Sequence, residues 1–338
     1  MKAKHLITVC SCALSIAFSA TAQQQPHTAP SPVYNDPIYD GAADPVIIWN
    51  RQEKSWWMLY TARRANMPTP DVSAYYGNKV GIASTKDHGQ TWVFRGYLDL
   101  EFERGQNTFW APDVVYHKGT YHMYVSYIQG ARSHWGGKSK IVHLTSKNLW
   151  DWSYQGGVSA SSDKVIDATL FQKEDGIWRM WYKDDSKGGI TMMSESKDLK
   201  TWEAAQKPTI AGDAHEGPNV FEYKGYYWML TDEWHGLRIY RSTDLNTWEK
   251  QGLILDTPSK RKDDTPSGAH GDVITFKDRA YIFYFTHPGR DKHGVTKPEN
   301  SFYQNHRTSI QVAPITVENG TLKANRDQPF DYWLPDAE

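Results

Sequence analysis

Apolar and polar residues alternate along this chain in short runs, and the runs come in pairs. PVIIWNRQEKSWWMLYTA, PDVVYHKGTYHMYVSY, ATLFQKEDGIWRMWYKD, GPNVFEYKGYYWMLTD and GDVITFKDRAYIFYFT each read as an apolar run, a short polar turn, and a run rich in aromatic and β-branched residues. The turns carry Glu-Lys, Lys-Gly, Asp-Gly, Lys-Gly and Lys-Asp. Such pairs predict β-hairpins, and no long stretch shows the spacing of an amphipathic helix.

A second pattern follows the hairpins. STKDHGQTW, TSKNLWDW, ESKDLKTW and RSTDLNTW end on Trp92, Trp152, Trp202 and Trp248, at intervals of 60, 50 and 46 residues. Each reads as the end of a strand, a turn of Asp, Asn, Lys and Gly, and a new strand starting at Trp. Hairpin and turn together make a unit of about 50 residues and four strands, the period of a propeller blade. The expected fold is all-β: a five-bladed β-propeller of four-stranded antiparallel blades around a central channel. A β-sandwich or β-solenoid is the alternative, and neither accounts for so long a period. The fifth unit lacks a turn ending in Trp. Its outer strands are expected from Thr308 to Val317 and from the N-terminal residues near Tyr34, which would close the ring.

The first residues are read apart from the fold. MKAKH is basic, LITVCSCALSIAFSA is a short apolar run, and Ala20-Thr21-Ala22 offers small residues for cleavage before Gln23. Residues 1–22 are therefore expected to be a signal peptide, and 23–338 a single five-bladed propeller domain, periplasmic or extracellular. Both cysteines, Cys10 and Cys12, fall in the leader, so the mature chain would have neither disulfides nor thiol chemistry. A formal net charge of −1 without a basic block argues against a nucleic-acid partner. The mature chain is expected to be a monomer that does not insert into a membrane. The 15 Trp and 20 Tyr suit both a packed β core and stacking on sugars, and composition does not separate the two.

The first strand of each blade lines the axis, so residues at its start meet at one mouth of the channel. There the five units place Asp44, Asp113, Asp167, Glu216 and His270. Like charges gathered in one place raise one another's pKa, so stability alone does not favour such a ring. A carboxylate pair suits glycoside hydrolysis: one acid protonates the departing oxygen, the other activates water or attacks directly.

These motifs resemble glycoside hydrolase family 43 and related five-bladed propeller glycosidases, from about Asp36 onward. The resemblance rests on Asp44-Pro45, Trp110-Ala111-Pro112-Asp113, Ile166-Asp167, Glu216-Gly217-Pro218 and Ala269-His270-Gly271. It implies inversion, with Asp44 as general base, Glu216 as general acid and Asp167 tuning and orienting Glu216. It implies a structural part for Asp113. It also implies that His270 sits near a calcium ion in the channel, often through water, while the chemistry itself needs no cofactor. Gly217 stands where members often have Ala, and Ala168 follows Asp167 in place of Pro. Asn35-Asp36-Pro37 resembles the nucleophile motif of retaining fructosidases, but the Arg-Asp-Pro of those enzymes is missing.

Trp110, Phe109, His215 and Asp113 are the candidate substrate contacts. Arg63, Arg64, Lys183, Asp184, Asp185, Trp234 and His235 follow the second strands and are expected at the far end of the channel, away from the acids. The stretch from Arg290 to His306 reads as an insertion on the rim. The resemblance implies oligosaccharide or polysaccharide substrates of the arabinofuranosidase, xylosidase or galactosidase type. A phosphorylase, a retaining glycosidase or a non-catalytic sugar-binding propeller are the alternatives.

Overall fold

A computed structural model describes residues 27–204, 206–291 and 302–337. The leader read at residues 1–22, with Cys10 and Cys12, lies outside the described residues, as does much of the expected rim insertion.

Among the described residues, twenty strands form five four-stranded antiparallel sheets. Blade one is β1 (Ala42–Asn50), β2 (Ser55–Ala62), β3 (Lys79–Thr85) and β4 (Val93–Tyr97). Blade two is β5 (Thr108–His117), β6 (Thr120–Ile128), β7 (Lys140–Ser146) and β8 (Ser153–Gly157). Blade three is β9 (Val165–Gln172), β10 (Trp178–Asp184), β11 (Ile190–Ser196) and β12 (Glu203–Ala204). Blade four is β13 (Glu216–Tyr223), β14 (Tyr226–Asp232), β15 (Leu237–Ser242) and β16 (Glu249–Ile254). Blade five is β17 (Ala269–Thr275), β18 (Ala280–Thr286), β19 (Ser309–Glu318) and β20 (Thr321–Lys323). The first strands pack side by side in chain order and β17 returns to β1, so the sheets close a ring. This is the five-bladed propeller the repeat predicts.

The repeated turn has a physical reason. In its second, third and fourth copies an Asn or Asp side chain accepts two backbone N–H groups: Asn148 from Trp150 and Asp151, Asp198 from Lys200 and Thr201, Asp244 from Asn246 and Thr247. The following Leu149, Leu199 and Leu245 take left-handed backbone and are buried. The side-chain acceptor replaces a ladder partner while the leucine plugs the blade edge.

The core lies between the blades rather than along one axis. Trp57, Leu59 and Tyr121 pack between blades one and two, Trp178 and Tyr182 between two and three, and Trp228 and Tyr284 between four and five. Most of the aromatic excess is spent there, since Trp57, Trp181 and Trp228 are fully buried.

A side-chain girdle ties the first strands together. Asp113 accepts the N–H of Leu170 at 2.6 Å, Thr169 that of Val220 at 3.4 Å, Asn219 that of Val273 at 3.2 Å, and Asp272 that of Ile47 at 2.8 Å. Each link joins one blade to the next. Between blades one and two the corresponding residue is Val46, which carries no acceptor.

The fifth blade corrects one expectation. Its third strand is β19, as read, but its fourth is Thr321–Lys323 and not the N-terminal segment. Among the described residues that segment makes isolated bridges, Thr28 to Asp331, Tyr34 to Ile310 and Gly41 to Thr308. Of the rim stretch, Phe302–His306 forms a short helix.

Candidate active site

Pairing along each first strand skips at the same place. The register jumps between Ala43 and Val46, Trp110 and Asp113, Ile166 and Thr169, Glu216 and Asn219, and Ala269 and Gly271. In four blades the bulge holds a left-handed residue: Asp44, Ala111, Asp167 and Gly217. A bulge turns a side chain out of the ladder and toward the axis. Neighbouring blades hold these corners in place. Thr61 accepts the N–H of Ala111, Ser126 that of Asp167, and Asp232 that of His270.

The corners open on a cavity of 690 Å³ lined by Asp44, Asp167, Glu216 and His270. Arg63 Nη2 lies 3.3 Å from Asp44 Oδ1. His270 Nδ1 lies 3.7 Å from the same oxygen. Asp167 Oδ2 accepts the Gly217 N–H at 3.1 Å, which couples it to the backbone beside Glu216. Both oxygens of Glu216 are gripped: Trp234 Nε1 donates to Oε1 at 3.0 Å, and Lys183 Nζ to Oε2 at 3.1 Å. Lys183 has a second partner in Asp185, also at 3.1 Å.

Burial pushes Asp167 up to about 7, with Glu216 and Asp44 adding to it and His270 opposing. Burial likewise pushes Asp232 up to about 7, helped by Glu216. Burial lowers the His270 imidazole, but Asp167, Asp44, Asp232 and Glu216 outweigh it and hold the pKa above the usual histidine value. For Lys183 the carboxylates of Glu216, Asp185 and Asp167 likewise overcome burial, and the pKa is raised.

The carboxylates do not occupy equivalent positions, as the sequence suggested. Asp44 and Asp167 sit at the left-handed corner, Glu216 one residue before it and Asp113 two after it. Asp113 therefore lies deeper on the axis, where it belongs to the girdle and lines a second cavity of 520 Å³ with Asp272 and Asn219. Burial, with Asp272 as a like charge, pushes it up to about 7.

The other candidate contacts divide. Trp110 lines the site, its Nε1 donating to the Tyr75 carbonyl. Phe109 is buried between blades one and two against Phe102 and Tyr127. His215 is buried as well, with Nε2 on Thr191 Oγ1 at 2.7 Å and Nδ1 on the Asp213 carbonyl. Neither lines the cavity. Strand alternation explains both, because the neighbour of an axis-facing residue faces a blade interface.

Arg63, Lys183, Asp185 and Trp234, expected at the far end, line the same cavity as the acids. The reason is hairpin geometry: an antiparallel second strand ends where the first began. Asp232, which the sequence reading passed over, closes the second strand of blade four and accepts from both His270 and Trp234 N–H groups.

Asp36 lies elsewhere. It accepts from Tyr60 at 2.7 Å, from Tyr97 at 3.0 Å, and from the N–H groups of Ile38 and Tyr39 at 2.8 Å. Such a carboxylate is an anchor for the N-terminal segment rather than a nucleophile. Asp36→Ala would leave the buried Tyr60 hydroxyl with Tyr34 alone and take the acceptor from the Ile38 and Tyr39 N–H groups, and is expected to cost about 1–3 kcal/mol. A fall in melting temperature with unchanged turnover per folded molecule is the outcome; loss of turnover alone would make Asp36 part of the site.

The calcium ion expected at His270 meets a poor fit. Asp44 is engaged by Arg63, and Asp232 and Asp167 by backbone N–H groups. Among the described residues no three His, Cys, Asp or Glu side chains converge as metal ligands.

Comparison with known proteins follows the same line. The profile of "Glycosyl hydrolases family 43" matches residues 86–234. The probable arabinan endo-1,5-alpha-L-arabinosidase A of Emericella nidulans is 27% identical over 179 residues, 46% of this chain and 52% of that protein. The chain spans about half the length of the curated relatives it matches. A thermostable family-43 glycoside hydrolase superposes with a TM-score of 0.63 at 19% identity, covering 90% of this chain and 98% of that one. A GH43 beta-xylosidase/alpha-arabinofuranosidase from a compost microbial metagenome, solved with xylotriose in a calcium-free form, gives 0.63 at 14% identity, covering 88% and 97%. The chain is thus similar to glycosyl hydrolases family 43 over residues 86–234, and it shares the ring of five blades with solved structures from that family.

Proposed function

We propose that the chain hydrolyses O-glycosyl bonds of arabinan- or xylan-type oligosaccharides with inversion at the anomeric carbon. The observation that carries this is the convergence of Asp44, Asp167 and Glu216 on one cavity. Asp44, held by Arg63, takes the proton of the attacking water. Glu216, on the facing blade, delivers a proton to the departing oxygen. Asp167 orients Glu216 through the Gly217 N–H and adds a like charge beside it when ionised. An inverting pair leaves room for water, which sets its carboxyl groups about 6.5–9.5 Å apart. The substrate class is supported by the names of the relatives, an arabinosidase and a xylosidase/arabinofuranosidase among them. Export through residues 1–22 would place the enzyme where such polymers are found.

Proton NMR during hydrolysis of arabino- and xylo-oligosaccharides tests the reading. The first-formed product should carry the anomer opposite to that of the substrate. The same anomer would overturn inversion, and no released sugar from any of these substrates would overturn the hydrolase.

A further inference from the structure

Two exposed indoles line the catalytic cavity. Trp135 is 61% exposed and stacks on Tyr75 at 5.3 Å between ring centres. Tyr75 in turn lies under the guanidinium of Arg63, which holds Asp44. Trp234 is 54% exposed and belongs to the other carboxylate, donating from Nε1 to Glu216. One aromatic wall goes with the base and one with the acid.

Trp234 is held there by its turn. Its backbone is left-handed, φ 62°, a conformation that large side chains rarely take. Asp232 accepts its N–H at 2.7 Å, and the next residue but one, Gly236, closes the turn by accepting from Glu233 N–H at 3.2 Å. Arg238 fixes the Glu233 carboxylate with two bonds, 3.0 and 2.8 Å. Below the ring lies the Lys183 ammonium, 5.5 Å from its centre, which also holds Glu216. A strained, braced turn that presents a large apolar face to solvent needs a reason beyond packing.

We propose that Trp234 forms the leaving-group side of the active site: its indole face receives the sugar that departs, while its N–H positions Glu216. The inference rests on the hydrolase reading above. A general acid stands next to the glycosidic oxygen it protonates, so a sugar stacked on the acid's own indole is the one beyond the scissile bond. Stacking on an aromatic face suits a sugar ring, which is apolar on its C–H side. The ring attacked by water then lies toward Asp44 and the Trp135 wall. Trp234 is thus a substrate-binding residue for the departing sugar and a positioning residue for Glu216.

The test compares substrates with and without a departing sugar. Arabinotriose and xylotriose have one; arabinofuranosyl and xylosyl fluorides, split at the same sugar, do not. Trp234→Asn keeps a residue that accepts left-handed backbone but removes the ring. Its loss of kcat/KM on the trisaccharide should exceed its loss on the matching fluoride by about tenfold, with most of the difference in KM. Trp234→Phe, which keeps a ring and loses the N–H, should recover KM on the trisaccharide and leave kcat lowered. Equal losses on both substrates, or a Phe variant no better than Asn, overturn the proposal. Wild-type protein that splits neither kind of substrate overturns the hydrolase reading instead. Melting temperatures of both variants separate these results from misfolding.

Discussion

Asp44→Asn and Glu216→Gln are each expected to lower turnover of an oligosaccharide by about 10²–10⁴-fold, the usual contribution of a positioned acid or base. Both substitutions keep size and shape, so the melting temperature should move little. The two variants should part company on a substrate with a good leaving group, such as a nitrophenyl glycoside. Glu216→Gln is partly rescued there, because the departing oxygen no longer needs a proton. Asp44→Asn is not, because water must still be activated. Equal rescue of both would exchange or dissolve the assigned roles, and full activity of both would remove the carboxylate pair from the reaction. Steady-state kinetics on the two substrate types, for all three proteins, decide it.

Gly217→Ala carries the second large effect. Gly217 is left-handed, φ 54°, and a Cβ there would stand 2.5 Å from the His270 ring. Left-handed backbone costs an ordinary residue about 1–2 kcal/mol, and a buried overlap typically about 1–3 kcal/mol more. A stability loss of roughly 2–5 kcal/mol is expected. The strain falls on the one peptide that links Glu216 to Asp167, so the acid should also be displaced. A displacement near 1 Å costs about 10²-fold in rate. Thermal unfolding and kcat measured together check both effects. An Ala variant with wild-type stability would mean that His270 yields freely. Glycine at this corner and the position of His270 therefore belong together.

Much of the fold was legible because it repeats. Hairpins and the turn ending in Trp recur often enough to reveal five units, and each has a local cause, in alternation and in side-chain acceptors. Thr321–Lys323 was not legible, since three residues carry no periodicity. In the site, Asp44, Asp167, Glu216 and His270 were readable from their short motifs and their place in the repeat. The offset among them was not, because a bulge changes which neighbour points inward and leaves only a following Pro as its signal, at Pro45, Pro112 and Pro218. The same half-turn of strand geometry buried Phe109 and His215. Arg63, Lys183 and Trp234 were visible as residues but placed at the wrong mouth. The returning strand of a hairpin brings its last residues back to the first strand's start, and that rule alone would have found them.

The corners and the girdle lie at two depths on one axis. The proposed chemistry occupies the upper tier, where the left-handed corners bring Asp44, Asp167 and Glu216 to the cavity. Cohesion occupies the lower tier, where Asp113, Thr169, Asn219 and Asp272 lace blade to blade. A lineage descended from such a chain could therefore swap what it cuts by altering one tier, and still inherit an intact wheel from the other.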